Sequence, residues 1–388
     1  MAQQSRLSRC YDISDLRLEA KKRLPRPIFN YLDGGADDEW TLNRNSAAFG
    51  EYQLVPNCLV DVSNVDTSTT LFGQKLEWPV AMAPTGMSRL FHHTGEESVA
   101  RSAAKAGTLY SLSALSTRSI EDVAGYSDGP KCFQLYVMKD RGLLEEFIDR
   151  ARAANYAALM LTVDVPVPGN RQRDLVNGMT LPPRIGLRTV LDAAMHPAWS
   201  LNYLFRPKHE LANVSHKIEE GSKEVSSVIQ YLTNQIDRKL DWDDAAWMID
   251  RWQGPFAIKG IQCVEDAKRA AEVGASSVII SNHGGRQLDF VPATIDLVAE
   301  IADAVGDRVE VVMDGGIRRG TDVIKVLACG ARACMIGRSY LYGLSAGGEA
   351  GVDRSLEILR SEVERDMALL GCTTVDQIGR SNLRRNGK

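Results

Sequence analysis

The sequence lacks features that mark several classes of protein. Its seven cysteines form no C-x-x-C pair, and two of them, Cys132 and Cys334, lie inside apolar strand-like runs. We therefore predict reduced, mostly buried thiols and no metal site. No stretch reaches about 18 apolar residues, the length that a membrane-spanning helix needs. The N-terminal segment MAQQSRLSRCYDISDL has no apolar signal-peptide core, so a cytoplasmic chain is expected.

The sequence also has little excess of charge of either sign. The 388 residues carry 46 basic and 50 acidic side chains, a formal net charge of −4, and the basic residues are scattered without long runs. A nucleic-acid-binding surface needs a basic patch or stripe, so we predict no nucleic-acid partner. The hydrophobic fraction of 44% suffices for one large core or two medium ones, and α/β barrels often exceed the usual size of a single domain.

From residue 79 onward, short β-branched runs alternate with amphipathic stretches. Each run ends in a polar or glycine-rich cluster, which is typical of βα units. Eight such units predict an α/β fold, a parallel (β/α)₈ TIM barrel, with a doubly wound open sheet as the alternative. The strands are predicted at 79–86, 108–116, 132–137, 158–165, 256–261, 277–284, 309–316 and 332–339.

Two segments lie outside this alternation. Residues 1–78 include a predicted helix around 14–24 and turn-rich sequence, so we predict a cover over one end of the barrel. Residues 166–241 interrupt the fourth unit with Pro-rich and polar sequence, and an insertion after a barrel strand lies on the catalytic face. We predict one domain over the whole chain, with the barrel at 79–346 and a C-terminal helix and tail at 347–388.

Polar groups follow all eight predicted strands. The C-terminal ends of barrel strands meet in one cup, so these groups together indicate a site. The paired glycines before Arg318, and Gly337 before Arg338, favour a phosphate because backbone N–H groups and helix dipoles attract anions; surface salt bridges are the alternative for the two arginines. The strand-end residues are Pro84, Thr85, Gly86, Ser113, Gln134, Tyr136, Thr162, Asp164, Lys259, His283, Arg286, Asp314, Gly315, Gly316, Gly337 and Arg338.

His283 is the candidate general base in this cup. If Asp164 accepts from one imidazole nitrogen, it fixes the tautomer and raises the basicity of the other nitrogen; capping of a strand end is the alternative role for Asp164. Arg286, three residues beyond His283, can face the same volume and present its guanidinium fork to a carboxylate. These residue types point to proton transfer next to a carboxylate.

The segment SNHGGRQLD, with AIKGI before it and MDGGIRRGTDV after it, resembles the flavin-dependent L-2-hydroxy-acid dehydrogenase and oxidase family. That family includes glycolate oxidase and the bacterial L-lactate and mandelate dehydrogenases. The likeness runs nearly end to end, from LPRPIFNYLDGGADDEWTL through FQLYV and LTVDVPVPGNRQRD to GEAGVDRSLEILRSE. It implies FMN across the mouth of the barrel, oxidation of an L-2-hydroxy acid to the 2-oxo acid, and a homotetramer.

The resemblance also implies a role for each matching residue. The implied catalytic and substrate positions are the base His283 with Asp164, the carboxylate ligands Arg286, Arg171 and Tyr31, and Tyr136 near the reacting carbon. Lys259 would offset the negative charge of the reduced flavin. Residue types are compatible with hydride transfer and with carbanion formation. The implied flavin contacts are Ala83, Pro84, Thr85, Gly86, Ser113, Gln134, Thr162, Lys259, Asp314, Gly315, Gly316, Arg318, Gly337 and Arg338.

Three positions bear on the choice of substrate and acceptor. Leu115 stands where glycolate oxidases carry a bulky aromatic residue, and Pro168 is another pocket position of the family. A substrate side chain larger than hydrogen, as in lactate or mandelate, is therefore expected to fit. Gly86, where several family oxidases carry alanine, leaves room over the flavin and does not decide oxygen reactivity.

The insertion bears on the electron acceptor. Its TVLDAAMHPAWSLNYLF resembles the HP-x-W segment of the membrane-associated bacterial dehydrogenases. Apolar residues interleaved with cations suit an interfacial segment, which predicts membrane contact through 184–206, a peripheral position on the inner face of the cell membrane, and a quinone acceptor. A lid packed on the barrel, and a soluble oxidase that reduces O₂ to hydrogen peroxide, are the alternatives. The residues are Leu187, Val190, Leu191, Trp199, Leu201, Tyr203, Leu204 and Phe205 with Arg184, Arg188, Arg206 and Lys208.

Overall fold

The computed structural model describes residues 2–136, 138–179, 186–206, 210–214 and 236–385. Its strands are numbered in chain order. They are β1 (Tyr52–Leu54), β2 (Thr69–Leu71), β3 (Gln74–Leu76), β4 (Val80–Thr85), β5 (Tyr110–Ser113), β6 (Lys131–Tyr136), β7 (Ala158–Thr162), β8 (Phe256–Ile261), β9 (Ser277–Ile280), β10 (Glu310–Asp314), β11 (Ala333–Ile336) and β12 (Leu383–Arg385).

Strands β4 to β11 form a closed barrel in which neighbouring strands are parallel and β11 pairs with β4. The predicted (β/α)₈ fold is confirmed. The strands are mainly apolar because both of their faces are buried. In β7, Ala158 and Met160 belong to the cluster inside the barrel, whereas Leu159 and Leu161 pack outward against the helices, as the two-residue period of a strand requires.

Several strands end earlier than predicted, β7 and β11 by three residues each. β5 ends at Ser113 rather than at residue 116, and β9 ends at Ile280 rather than at residue 284. The cause after β9 is a run of left-handed backbone at His283, Gly284 and Gly285, with φ values of 56°, 65° and 73°, which an extended strand cannot adopt. The candidate base therefore lies on a tight loop just beyond the barrel.

Helices surround the barrel and cover the C-terminal ends of its strands. The last of them, α15, contains non-helical backbone at Gly347 and Gly348, where the predicted barrel segment gives way to the C-terminal helix. The helices are α1 (Ala2–Leu7), α2 (Ile13–Arg23), α3 (Arg26–Asp33), α4 (Trp40–Ala47), α5 (Glu96–Lys105), α6 (Ile120–Tyr126), α7 (Arg141–Ala153), α8 (Gln172–Val176), α9 (Leu187–Ala194), α10 (Pro197–Phe205), α11 (Trp242–Trp252), α12 (Val264–Glu272), α13 (Thr294–Val305), α14 (Gly320–Ala328) and α15 (Arg338–Leu370).

The two ends of the barrel are closed differently. At the N-terminal ends of the strands, the β2–β3 hairpin inserts apolar side chains such as Phe72 into the interior cluster, and the Phe72 N–H donates to Glu310. At the other end, the N-terminal segment reaches over the loop after β9, where the Ala36 N–H donates to the Gly285 carbonyl over 2.8 Å. The space between this cover and the strand ends is where a ligand can enter.

Candidate active site

A cavity opens at the C-terminal ends of the barrel strands. Predicted residues from β4, β5, β6, β8, β10 and β11, and from the loop after β9, meet there, as barrel geometry requires. Apolar side chains including Met87, Phe91 and Leu341 complete its wall and were not predicted. The predicted residues that line the cavity are Tyr31, Ala83, Pro84, Thr85, Gly86, Ser113, Leu115, Tyr136, Arg171, Lys259, His283, Arg286, Asp314, Gly315, Gly316, Arg318, Gly337 and Arg338.

The candidate base is held from two sides. His283 Nδ1 lies 3.0 Å from Asp164 Oδ1, and the His283 backbone N–H donates to the Ser281 hydroxyl over 3.1 Å. The Asp164 side chain is only 5% exposed. Burial alone would raise the pKa of Asp164, but the neighbouring His283 ring outweighs it and the pKa is lowered. An ionised carboxylate thus fixes the imidazole and leaves Nε2 for a ligand.

Two guanidinium groups converge beside this histidine. Arg286 donates to the backbone carbonyls of Tyr31 and Gly34, at 2.7 and 3.0 Å, and lies 5.0 Å from the centre of the Tyr31 ring. Burial and the nearby Arg171 lower the pKa of Arg286. Arg171 Nε is buried without a hydrogen-bond partner among the described residues. Two half-buried guanidinium groups on one cavity are suited to a ligand carboxylate, which a guanidinium fork binds in bidentate fashion.

A buried ion pair lies deeper in the cavity. Lys259 Nζ is 2.9 Å from Asp314 Oδ2 and donates to the Ser281 hydroxyl over 2.7 Å. Ser281 in turn donates to Asp314 over 2.7 Å. Burial would lower the pKa of Lys259, but Asp314 and Asp164 raise it above its ordinary value. Lys259 therefore presents a positive charge to the cavity at neutral pH.

The ends of β10 and β11 form an anion-binding corner. Gly315 and Gly316 have φ values of 102° and 81°, a backbone that favours glycine. Helix α15 begins at Arg338 without a side-chain cap, so its first N–H groups face the cavity with the positive end of the helix dipole. Arg338 donates to the carbonyls of Leu32, Gly34 and Gly284. Within the described chain no carboxylate pairs with this buried guanidinium, and burial lowers its pKa.

Four predicted residues do not line the cavity. Asp164 bonds to His283 from behind the cavity wall. Gln134 Oε1 accepts from the Ser113 hydroxyl, and Thr162 is buried beside Gln134 in the register of β7. Pro168 is exposed, as are the two residues before it. The loop after β7 turns outward there, so the predicted pocket-lining position of Pro168 is not observed.

Sequence reasoning missed groups that brace the site. Ser281 was treated as the end of a strand, yet its hydroxyl joins Lys259, Asp314 and the backbone of His283. The side-chain amides of Asn45 and Asn282 bond reciprocally at 2.8 Å and tie the N-terminal cover to the catalytic loop. A role for the Ser281 hydroxyl could have been suspected because Ser281 lies at a strand end. No nearby sequence pattern indicates that Asn282 bonds to Asn45, 237 residues away.

The site contains two separate anion-binding positions. The ends of β10 and β11 suit a phosphate, and Arg286 with Arg171 suits a carboxylate, with the base His283 beside it. This combination is typical of a barrel enzyme that holds a phosphate-bearing cofactor next to a small acidic substrate. The chain belongs to the FMN-dependent dehydrogenase family, whose model matches residues 20–385. The predicted membership is confirmed, FMN is the cofactor, and the chain is an oxidoreductase that acts on CH–OH donors.

Individual relatives cover almost the whole chain. It is 43% identical to the L-lactate dehydrogenase of Caulobacter vibrioides over 371 residues, which are 95% of this chain and 96% of that protein. It is 40% identical to the glycolate oxidase of Spinacia oleracea over 372 residues, 96% of this chain and 95% of that protein. The solved structure of the monotopic membrane protein (S)-mandelate dehydrogenase matches with a TM-score of 0.94 at 35% identity and covers 97% of this chain and 100% of that one.

The residues present fit FMN. Gln134 Nε2 and Thr162 Oγ1 are buried without hydrogen-bond partners among the described residues, and the strand register places Ser113 beside Gln134 and Thr162 beside Lys259. Such a polar row suits the hydrogen-bonding edge of a flat ring. A Cβ on Gly337, at the phosphate corner, would meet only Thr85 Cγ2, at 3.9 Å.

Proposed function

We propose that the protein oxidises an L-2-hydroxy acid, of the size of lactate or larger, to the 2-oxo acid and passes the electrons to a quinone at a membrane surface. The observation that carries the proposal is the His283–Asp164 contact on the same cavity as Arg286 and Arg171. The relatives are named for L-lactate, glycolate and (S)-mandelate, and all three compounds are 2-hydroxy acids.

The substrate must lose two electrons and two protons. The cavity offers an anchor for its carboxylate and an acceptor for one proton, and the second proton leaves with the electrons to the flavin. Arg286 and Arg171 hold the carboxylate, and His283 Nε2 takes a proton. Burial and the nearby Asp164 raise the pKa of Tyr136, so its hydroxyl stays protonated and donates a hydrogen bond to the substrate oxygen.

When bound, FMN supplies the acceptor for the two electrons. The polar row of Ser113, Gln134 and Thr162 would hold its ring, and Lys259 would offset the negative charge that the ring gains. Arg318, Arg338 and the first N–H groups of α15 would hold its phosphate.

Anaerobic bleaching of the flavin across a panel of L- and D-2-hydroxy acids tests the reaction. We expect bleaching by L-lactate and larger L-acids and none by their D-enantiomers, because the base, the carboxylate anchor and the flavin together fix three positions about the chiral carbon. A flavin that no 2-hydroxy acid bleaches would refute the proposed reaction. Reoxidation of the bleached protein then tests the acceptor: fast, stoichiometric release of hydrogen peroxide in air would favour the soluble oxidase instead.

Leu115 is expected to limit the size of the substrate. It lines the cavity, and its Cβ lies within 3.0 Å of where a Cβ on Gly86 would stand. We predict that Leu115→Trp lowers kcat/KM for mandelate about 10- to 200-fold relative to lactate, the range that small changes of fit in an apolar pocket produce. Leu288→Trp is the matched control because Leu288 is 72% exposed. Equal losses for both acids would show that Leu115 does not bound the substrate side chain.

The exposure of helices α9 and α10, which lie in the insertion, supports the proposed contact with a membrane. No residue of α9 or α10 is buried, and Leu187, Leu204 and Phe205 are 75%, 71% and 80% exposed. A lid packed on the barrel would bury such side chains, whereas an interfacial helix leaves them for lipid. Arg188 and Arg206 flank them; Arg184 and Lys208, predicted for the same surface, lie outside the described residues.

In the described part of the chain no helix is long and apolar enough to cross a bilayer, so the contact proposed here lies in the plane of the interface. We predict that Leu204→Asp combined with Phe205→Asp weakens sedimentation with anionic vesicles more than about tenfold, since each such side chain gains about 1.5–3 kcal/mol on burial. Leu369→Asp, at a 70% exposed site on α15, should sediment like the wild type. Unchanged binding of the double variant would refute the membrane contact.

A further inference from the structure

A shallow outer pocket lies beside the active-site cavity. Phe91, His92 and His93 form one wall of it, and Trp199, Asn202 and Tyr203 of α10 form the other. Phe91 also lines the active-site cavity, where its ring stacks on that of Tyr31 with a centroid distance of 6.3 Å. Phe91 therefore borders both the outer pocket and the active-site cavity.

The α10 wall of the outer pocket is a fixed aromatic surface. The rings of Trp199 and Tyr203 stack at 5.0 Å with an interplanar angle of 14°. The Trp199 indole N–H donates to the Leu90 carbonyl over 2.8 Å, which anchors the indole next to Phe91. Tyr203 forms the outer side of the stack and is 51% exposed.

Polar groups stand around this surface. His93 Nδ1 is buried and has no hydrogen-bond partner in the described chain. Burial, with Arg206 and Arg23 nearby, lowers the pKa of His93, so the ring is neutral and carries one N–H. Arg23 also lines the pocket, and no ion pair joins it to another described residue. Both side chains can donate to a carbonyl oxygen.

We propose that the outer pocket binds the head ring of a quinone, which stacks on Trp199 in place of Tyr203 and accepts hydrogen bonds from His93 and Arg23. A quinone is a flat ring with two carbonyl oxygens, and the exposed apolar face of α9 and α10 lies beside the pocket for its tail. The inference rests on the proposed function. The hydroxy acid loses two electrons and two protons, and the quinone gains two of each and becomes the hydroquinone.

Photolabelling of the FMN-loaded wild-type protein tests the site without any variant and without turnover. A tail-less azidobenzoquinone is used in the absence of lipid, so membrane affinity plays no part. We expect labelled peptides that contain residues 91–93 or 197–205, with the label reduced by excess unlabelled benzoquinone. Label confined to other peptides, or label that excess quinone does not reduce, would overturn the proposal.

Reoxidation kinetics test the role of the indole. The rate with the tail-less quinone is divided by the rate with ferricyanide for the same reduced protein, which removes any effect on flavin content. We expect Trp199→Ala to lower this ratio about tenfold, the upper range for an aromatic pair, and Trp199→Phe to keep most of it. Leu369→Ala, at a 70% exposed site on α15, is the control and should leave it unchanged. An unaltered ratio in Trp199→Ala overturns the site, whereas a flavin that no hydroxy acid reduces overturns the proposed function instead.

Discussion

The variant His283→Gln should bind FMN with the wild-type absorption spectrum and yet be reduced by substrate at least about a hundredfold more slowly, the usual scale for losing a general base. Glutamine can still donate a hydrogen bond to Asp164, so the loop and the cavity are expected to keep their shape. It cannot take a proton at neutral pH. Anaerobic stopped-flow bleaching at saturating L-lactate or L-mandelate measures the loss directly.

Two further variants separate base chemistry from general damage. His196→Gln alters a histidine of the insertion that bonds to the Asp192 carbonyl and should bleach at the wild-type rate. Asp164→Asn should slow bleaching by less than His283→Gln, because the imidazole remains but loses its ionised partner. If His283→Gln bleached as fast as the wild type, the proton would have to go to another group and the assignment of the base would be wrong.

The pH dependence of the Asp164–His283 contact follows from the direction in which the pKa of Asp164 is shifted. The pKa of Asp164 is lowered in the folded protein, so its contribution to stability is present above the ordinary carboxyl pKa and is lost as the pH falls through the lowered value. The carboxylate is therefore ionised throughout the neutral range. If the rate of flavin bleaching changes between pH 6 and 8, protonation of Asp164 should not be the cause.

The barrel and much of its site could be predicted because both depend on local patterns. A parallel strand buried on both faces is mainly apolar, and the functional groups of a barrel lie at or near the C-terminal ends of its strands. Lys259 and His283 were therefore identifiable from their positions after apolar runs. The end of β9 was misplaced because the left-handed backbone at His283 depends on how the whole loop folds rather than on strand propensity.

Contacts between residues far apart in the chain produce no local pattern in the sequence. Asn45 and Asn282 are ordinary amides in the sequence, and only the closed barrel brings them together. Phe91 falls in a turn after β4, and nothing near it in the sequence indicates that it borders two pockets. Pro168 was placed by resemblance to relatives, yet its loop turns to solvent here. The role of a side chain whose partners lie far along the chain can be identified only from the three-dimensional structure.

The buried Lys259–Asp314 pair should be the most costly to break. Lys259→Met keeps the length and volume of the side chain but leaves the Asp314 carboxylate, 6% exposed, with Ser281 as its remaining side-chain donor. Removing one partner of a buried ion pair typically costs about 3–5 kcal/mol because the other charge stays desolvated. We expect a loss of that size in urea unfolding of the FMN-loaded protein, followed by tryptophan fluorescence.

Three comparisons make this prediction specific. Lys131→Met removes a buried ammonium that donates to the backbone carbonyls of Ser127 and Gly129, so it leaves no carboxylate unpaired and should cost less. Adding Asp314→Asn to Lys259→Met removes the stranded charge and should recover part of the loss, which a double-mutant cycle measures. FMN affinity, titrated separately by flavin fluorescence, should weaken in both Lys259 variants because the cation beside the ring is gone. Equal losses for Lys259→Met and Lys131→Met, with no recovery in the double variant, would mean that Asp314 does not depend on Lys259 for its charge.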